Sequence, residues 1–340
     1  MIQKNLRLYA SILLGFVCFM LNASQAKALT VTPLRFELTA NPGDTVSDKL
    51  RLYNDSDKTI TYYFVTANFE AKDESGQPQF VPTTNDLAGW IQTQSSVTIT
   101  PRSYSVIDFK IDVPANAEPG GYFSALFAST KPPSNGNEQK ISLSGQVGAL
   151  VLFRVNGNIK EGADILEYNT LAKQYFFSSL PVGFYFRFQN SGADRAKPLG
   201  DIIIKNIFGV TSKIVSVNND GGSVLPKSIR RFESYWLESG GPKQQDPKFG
   251  MYSGSEPGFW NHVKYQWQHF ALGRYSATLN LAYGYTTQSS ATAKTSFWVL
   301  PWQLLLVEII SVVIALSILL GISVWIVYKI IRRIEKRLKK

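Results

Sequence analysis

The sequence predicts an all-β chain: two tandem β-sandwiches followed by a single transmembrane helix near the C-terminus. Three observations predict it. From Leu29 to about Pro301, short β-rich runs alternate with clusters of Gly, Pro, Asn and Asp rather than repeating with helical periodicity. Twenty residues from Ile309 to Tyr328 carry no formal charge, enough to cross ~30 Å of hydrocarbon at ~1.5 Å per residue. The cations that raise the net charge to +10 gather at the two ends.

The N-terminal element, residues 1–28, reads as a signal peptide. Lys4 and Arg7 form a short positive segment, Leu8 to Leu21 is apolar, and Ala26-Lys27-Ala28 has the small residues that a signal peptidase reads. Cleavage is expected after Ala28, the alternative being an uncleaved anchor. The single cysteine, Cys18, lies inside this segment, so the mature chain is expected to hold no thiol, disulfide or thiolate metal site.

Residues 29–158 form the first expected sandwich. Its strands are Thr30–Leu38, Val46–Tyr53, Thr59–Phe69, Val97–Thr100, Tyr104–Val113, Tyr122–Thr130 and Ile141–Val155. Apolar residues fall on every second position in Leu50, Leu52 and again in Phe109, Ile111, Val113, as in strands with one buried face. Asn41-Pro42-Gly43-Asp44, Asn54-Asp55-Ser56-Asp57 and Pro119-Gly120-Gly121 supply turns. About seven strands in such a length suit an immunoglobulin-like sandwich. The second sandwich, 159–300, has strands at Gly183–Asn190, Asp201–Asn206, Thr211–Val217, Ser228–Trp236, Tyr275–Tyr285 and Thr292–Val299. The boundary falls near Asn156–Ala163.

An insertion at 237–270 interrupts the second set. It is rich in Gly and Pro and in aromatic rings, among them Tyr252, Phe259, Trp260 and Trp267. A structureless loop of this length is uncommon in a compact domain, so the rings are expected to pack on the sandwich edge or the membrane-proximal surface, or to form a partner or glycan platform. These four and Trp90 are the candidate binding residues, although Trp90 also suits a sandwich core.

The span is expected over 301–328, with Trp302 at one interface, Trp325 and Tyr328 at the other, and Lys329, Arg332 and Arg333 opening a basic cytoplasmic tail, 329–340. The tail can continue as an amphipathic helix through Ile330, Ile334 and Leu338. Glu308 is expected to snorkel to the interface. The resulting topology is single-pass at the plasma membrane, with the sandwiches extracellular or periplasmic. Once the ends are set aside, 25 basic residues face 23 acidic ones between 29 and 300, which gives no support for a nucleic-acid groove.

Pro33 in the opening strand, Pro42-Gly43, Asn54-Asp55-Ser56, Ala88-Gly89-Trp90-Ile91, Val97 to Pro101, Val113-Pro114 and Pro119-Gly120-Gly121-Tyr122 follow one another in an order that resembles the N-terminal domain of the WxL-interacting proteins of bacterial cell surfaces. More loosely it resembles the NEW3-type sandwich modules. The second domain matches in outline through Leu225-Pro226-Lys227-Ser228 and Gly273-Arg274-Tyr275, and the insertion departs from the pattern. The resemblance implies a membrane-anchored scaffold or adhesin whose partners are the bilayer, peptidoglycan and another surface protein.

Catalytic signatures are absent from the sequence. His262 and His269 are the two imidazoles, seven apart, at neither a HExxH nor an i, i+4 spacing, and there is no GxSxG elbow, Ser-x-x-Lys pair, P-loop or EF-hand. No cofactor, metal or enzymatic activity is expected. The alternative function is an assembly or pilus-chaperone-like protein that accepts a partner strand, and a cryptic wall hydrolase ranks below both.

Overall fold

The computed structural model describes residues 29–81, 86–132, 146–236, 258–285 and 289–338. The expected signal peptide, Tyr252 and most of the insertion lie outside the described residues. The chain divides into two units: 29–70 with 79–158 in the first, and 71–78 with the chain from Ile159 onward in the second. Both are β-sandwiches.

In the first unit, one sheet orders β1 (Leu29–Thr32), β3 (Thr45–Asn54), β8 (Ser103–Asp112) and β6 (Ile91–Thr93). The other runs β2 (Arg35–Ala40), β10 (Gln146–Val155), β9 (Gly120–Ser129), β4 (Ile60–Ala71) and β5 (Pro78–Val81), with β7 (Ser96–Ile99) also on β4. A short helix, α1 (Leu87–Trp90), precedes β6. The expected single strand Thr30–Leu38 is therefore corrected. Proline 33 offers no N–H to a ladder, and the chain changes sheets there, β1 pairing with β3 and β2 running parallel to β10. Inward side chains of both sheets make one core, with Leu50, Leu52, Ile107, Ile111, Leu126 and Phe153 all buried. The Asn54-Asp55-Ser56 turn is locked from within. Buried Asn54 donates to the carbonyls of Lys58, Ile99 and Thr100 and accepts from the Ser56 N–H and hydroxyl, so its amide polar atoms are fully used.

The second unit packs a sheet ordered β11 (Ala163–Thr170), β13 (Val182–Asn190) and β16 (Ile229–Trp236) with a sheet ordered β12 (Phe176–Phe177), β18 (Ser289–Val299), β17 (Gly273–Tyr283), β14 (Leu199–Asn206) and β15 (Thr211–Val217). Strand β11 is an addition to the expected set. Its charges Asp164 and Glu167 and a bulge between Ile165 and Glu167 blur the alternation, although Tyr168 and Thr170 still point inward. Asn190 repeats the role of Asn54, donating to the carbonyls of Asp194 and Val224 while accepting from Gly192 N–H. Phe297 is the hub of an aromatic core, with ring centroids of Phe184, Tyr275, Phe177 and Trp236 at 5.5, 5.8, 5.8 and 6.2 Å.

Two helices complete the chain: α2 (Phe259–Gln268) and α3 (Trp302–Leu338). The insertion therefore contains a helix the sequence reading did not place. Over Trp302–Arg332, 31 residues whose most apolar stretch has a mean hydropathy of 2.8, α3 is the one helix among the described residues long and apolar enough to cross a membrane. The hydroxyls of Ser311 and Ser317 bond to the carbonyls of Glu308 and Val313 in their own helix.

Candidate functional site

Three surfaces stand out. Among the described residues, no group of three or more His, Cys, Asp or Glu side chains is placed to hold a metal ion. Of the two histidines, His269 stacks on Tyr265 at 4.2 Å with Nδ1 3.0 Å from the Tyr265 carbonyl oxygen, a contact inside one helix turn.

The first surface is a notch in the sheet that contains β10. Strand β9 pairs with β10 along its whole length, from Gln146↔Ser129 to Val155↔Gly120, whereas β2 joins it only from Leu150↔Arg35. Among the described residues, nothing pairs with the outer edge of Gln146–Ala149. The Leu150 N–H donates to the Leu34 carbonyl at 2.9 Å. Backbone groups alternate along a strand, so Gly148 and Gln146 turn their N–H and C=O to that same open side. Leu34 stands at the floor of the notch and is 66% exposed. Gln146 Oε1 is buried without a hydrogen-bond partner. The longer edges are better defended: β2 carries the Arg35–Glu37 ion pair at 3.2 Å, and β16 carries Arg230, Arg231 and Glu233.

The second surface is on the outer face of β3 and β8. Tyr53 and Tyr104 are direct cross-strand partners with ring centroids 5.4 Å apart, and the Arg51 guanidinium lies 5.3 Å from the Tyr104 centroid. Together they form an exposed aromatic ledge.

The third surface surrounds the start of α3. Gln266, the buried residue of α2, is hydrogen-bonded to Gln303, and its Oε1 accepts the Leu304 N–H at 3.0 Å. Pro301 has no side-chain acceptor to cap the helix it precedes, so one of the unsatisfied N–H groups of the first turn is capped from α2 instead. Of the sequence-predicted binding residues, Phe259, Trp260 and Trp267 all lie on α2, beside Trp302 of α3. Spacing of i, i+4, i+7 puts Trp260, Lys264 and Trp267 on one stripe, about 100–160° around the helix from Gln266. Towards the other end of α3, Lys329 lies over the Trp325 ring at 4.6 Å and Arg332 over Tyr328 at 5.7 Å. Arg333 belongs to the same helix.

Trp90 does not join any of these surfaces: it is buried, as the core alternative for it expects. It ends α1, whose first turns are held by Thr66 Oγ1 donating to the Ala88 carbonyl and by Asn68 Oδ1 accepting the Ala88 N–H, both at 2.9 Å. These bonds press the indole into the core, where its ring meets Tyr122 at 4.6 Å. Burial pushes the Tyr122 hydroxyl up from its ordinary pKa.

On the outer face of β11 and β13, Lys173 Nζ and the Tyr185 hydroxyl both reach Glu167 Oε1, at 2.9 and 2.8 Å. These two contacts, Lys173 first, hold the Glu167 carboxyl below its ordinary value of 4.5. The folded state thus favours the ionised carboxylate, and its stabilisation is complete above the unfolded value and lost as pH falls through the lower folded one. Urea midpoints of the second unit measured from about pH 6 to about pH 3 should fall more steeply in the wild type than in Glu167→Gln.

No protein-family model matches the chain, and no curated protein matches it. Among solved structures it is similar to the class 5 fimbriae chaperone CfaA (11% identity, TM-score 0.39, 79% of this chain and 99% of that one). It is also similar to the CsuC–CsuE chaperone–tip adhesion subunit pre-assembly complex from archaic chaperone-usher Csu pili of Acinetobacter baumannii (10%, TM-score 0.35, 78% and 97%). A third is the Pseudomonas aeruginosa CupB2 chaperone (10%, TM-score 0.32, 77% and 98%).

Proposed function

We propose that this is a membrane-anchored, non-enzymatic envelope protein that takes an extended segment of another polypeptide into its first sandwich as an added strand. The observation that carries the reading is the notch beside Gln146–Ala149, a length of sheet edge that nothing pairs among the described residues, left open where β2 stops short of β10 and lacking the charges of the longer edges. Main-chain bonds to Gly148 and Gln146 would give affinity, and the exposed Leu34 would select an apolar side chain in the incoming strand. The Gln146 side-chain oxygen would gain the donor it lacks. The basic end of α3 keeps the tail in the cytoplasm, so both sandwiches stand outside it.

The test is photocrosslinking in intact cells with benzophenone in place of Leu34 in the full chain. A discrete polypeptide adduct is expected. Gln146→Pro should weaken it about tenfold, since proline removes an outward N–H while the β9 ladder, which uses the other side of the strand, stays intact. No polypeptide adduct from position 34, or one indifferent to Gln146→Pro, sinks the reading. The Tyr53/Tyr104 ledge favours a second reading, the glycan-binding scaffold, because sugar rings stack on exposed aromatic faces. Retention of the protein on peptidoglycan that Tyr104→Ser abolishes would favour it.

A further inference from the structure

We propose that the end of the second sandwich from which α3 departs lies in the phospholipid headgroup layer of the membrane that α3 crosses, with α2 and the turn between β14 and β15 as its two lipid-contacting elements. This rests on the reading of α3 as a span.

Sheet register places the two elements at one end. Strand β18 reaches Val299 two residues before Pro301, Val299 pairs with Gly273 at the start of β17, and Tyr275 pairs with Asn206 at the end of β14. The turn 207–210 follows Asn206 directly and so lies at the α3 end of the sheet. At ~4.8 Å between neighbouring strands, it sits about 10 Å from β18 across β17 and β14. Strand β12 joins the same end, with Phe176 paired to Trp298. Helix α2 is fixed at this level through Gln266, which caps α3 in its first turn.

The side chains at this end are the wrong kind for water. Phe208 is 86% exposed, Phe176 71%, Trp260 70% and Trp267 67%. Ile207 and Val210 flank Phe208 and are themselves exposed. Apolar groups arranged around the entry of a membrane helix have a ready occupant: the bilayer the helix enters. Indole suits that layer because its ring is apolar and its N–H still finds an acceptor among headgroup and ester oxygens. Lys264, between Trp260 and Trp267 on the stripe, can reach lipid phosphate while its methylenes stay among the rings. Commitment to lipid rather than to a protein follows from this continuity. The patch begins where the span begins, and the polar Gln266–Gln303 contact that sets its height is sealed from solvent.

The test uses the full chain, one copy per nanodisc, in phosphatidylcholine doped with a phospholipid that carries a diazirine near the glycerol end of one acyl chain. After irradiation, lipid adducts are mapped by mass spectrometry. Adducts are expected on α3, on Phe259–Phe270 and on 207–210, and not at Tyr285, which is 69% exposed but follows the far end of β17, about 35 Å away along that strand. Exchanging both indoles, Trp260→Ser with Trp267→Ser, should cut the α2 adducts about fivefold and leave those on α3 unchanged. Adducts on α3 with none on α2 or the turn would overturn the proposal while leaving the anchor in place. Absence of adducts from α3 itself would overturn both.

Discussion

Phe297→Ala should cost the second sandwich about 3–5 kcal/mol, the range for removing a large aromatic side chain from a core that cannot collapse around the gap. Phe297 is 1% exposed and touches rings from both sheets: Phe184 and Trp236 on one, Tyr275 on its own, with Phe177 at the rim. The inner neighbours cannot fill the hole without losing their own packing, because Phe184 is already engaged with Tyr168, and Trp236 with Tyr275. The second unit should therefore melt about 10–15 °C lower in the variant. The first unit has its own core cluster and should keep its transition. Calorimetry of the full chain, with amide exchange to assign each transition, reads both effects. Phe297→Leu keeps most of the volume and should cost less than half as much. Equal shifts in both transitions would mean that the two cores unfold as one and would defeat the expectation.

The fold was legible where one physical signal dominated. Alternation identified β3 and β8, and the uncharged run identified α3, because a one-sided sheet and a long apolar helix each impose a pattern on consecutive residues. The turn motifs Asn54-Asp55-Ser56 and Asn190-Ser191-Gly192 were legible as turns, but not as buried amides that tie down distant carbonyls. That role needs Ile99 and Val224, far along the chain. Strand β11 escaped because a bulge and surface charges interrupt its period. Helix α2 escaped because ten residues flanked by glycine and proline give too short a window, and its one buried residue is a glutamine whose partners are Gln303 and the Leu304 N–H. The candidate surfaces were half visible. Phe259, Trp260, Trp267 and Trp302 were marked by residue type, and the fold brings them together. The turn at Phe208 and the notch at Gln146 were not marked, since both depend on strand register. Which strand end lies beside α3, and where β2 stops pairing with β10, are properties of the sheet and not of any local segment.

Trp90 separates a core residue from a binding residue by experiment. As a core residue at 9% exposure, its change to alanine should destabilise the first sandwich by about 3–5 kcal/mol, by emptying the space between α1 and Tyr122. The loss should spread to α1, because its four residues make too few internal bonds to persist without the indole that anchors them. Amides of Ala88 and Gly89 should then exchange faster, and the Tyr122 hydroxyl, no longer held in a dry environment, should titrate closer to its ordinary value of 10.0. Partner capture at the notch should survive at temperatures where the domain is still folded, because Gln146–Ala149 belong to the edge of the other sheet, which β6 does not join. Trp90→Phe should retain most of the stability. The opposite pattern, an unchanged melting temperature with lost capture, would return Trp90 to the binding surface that its residue type alone suggests.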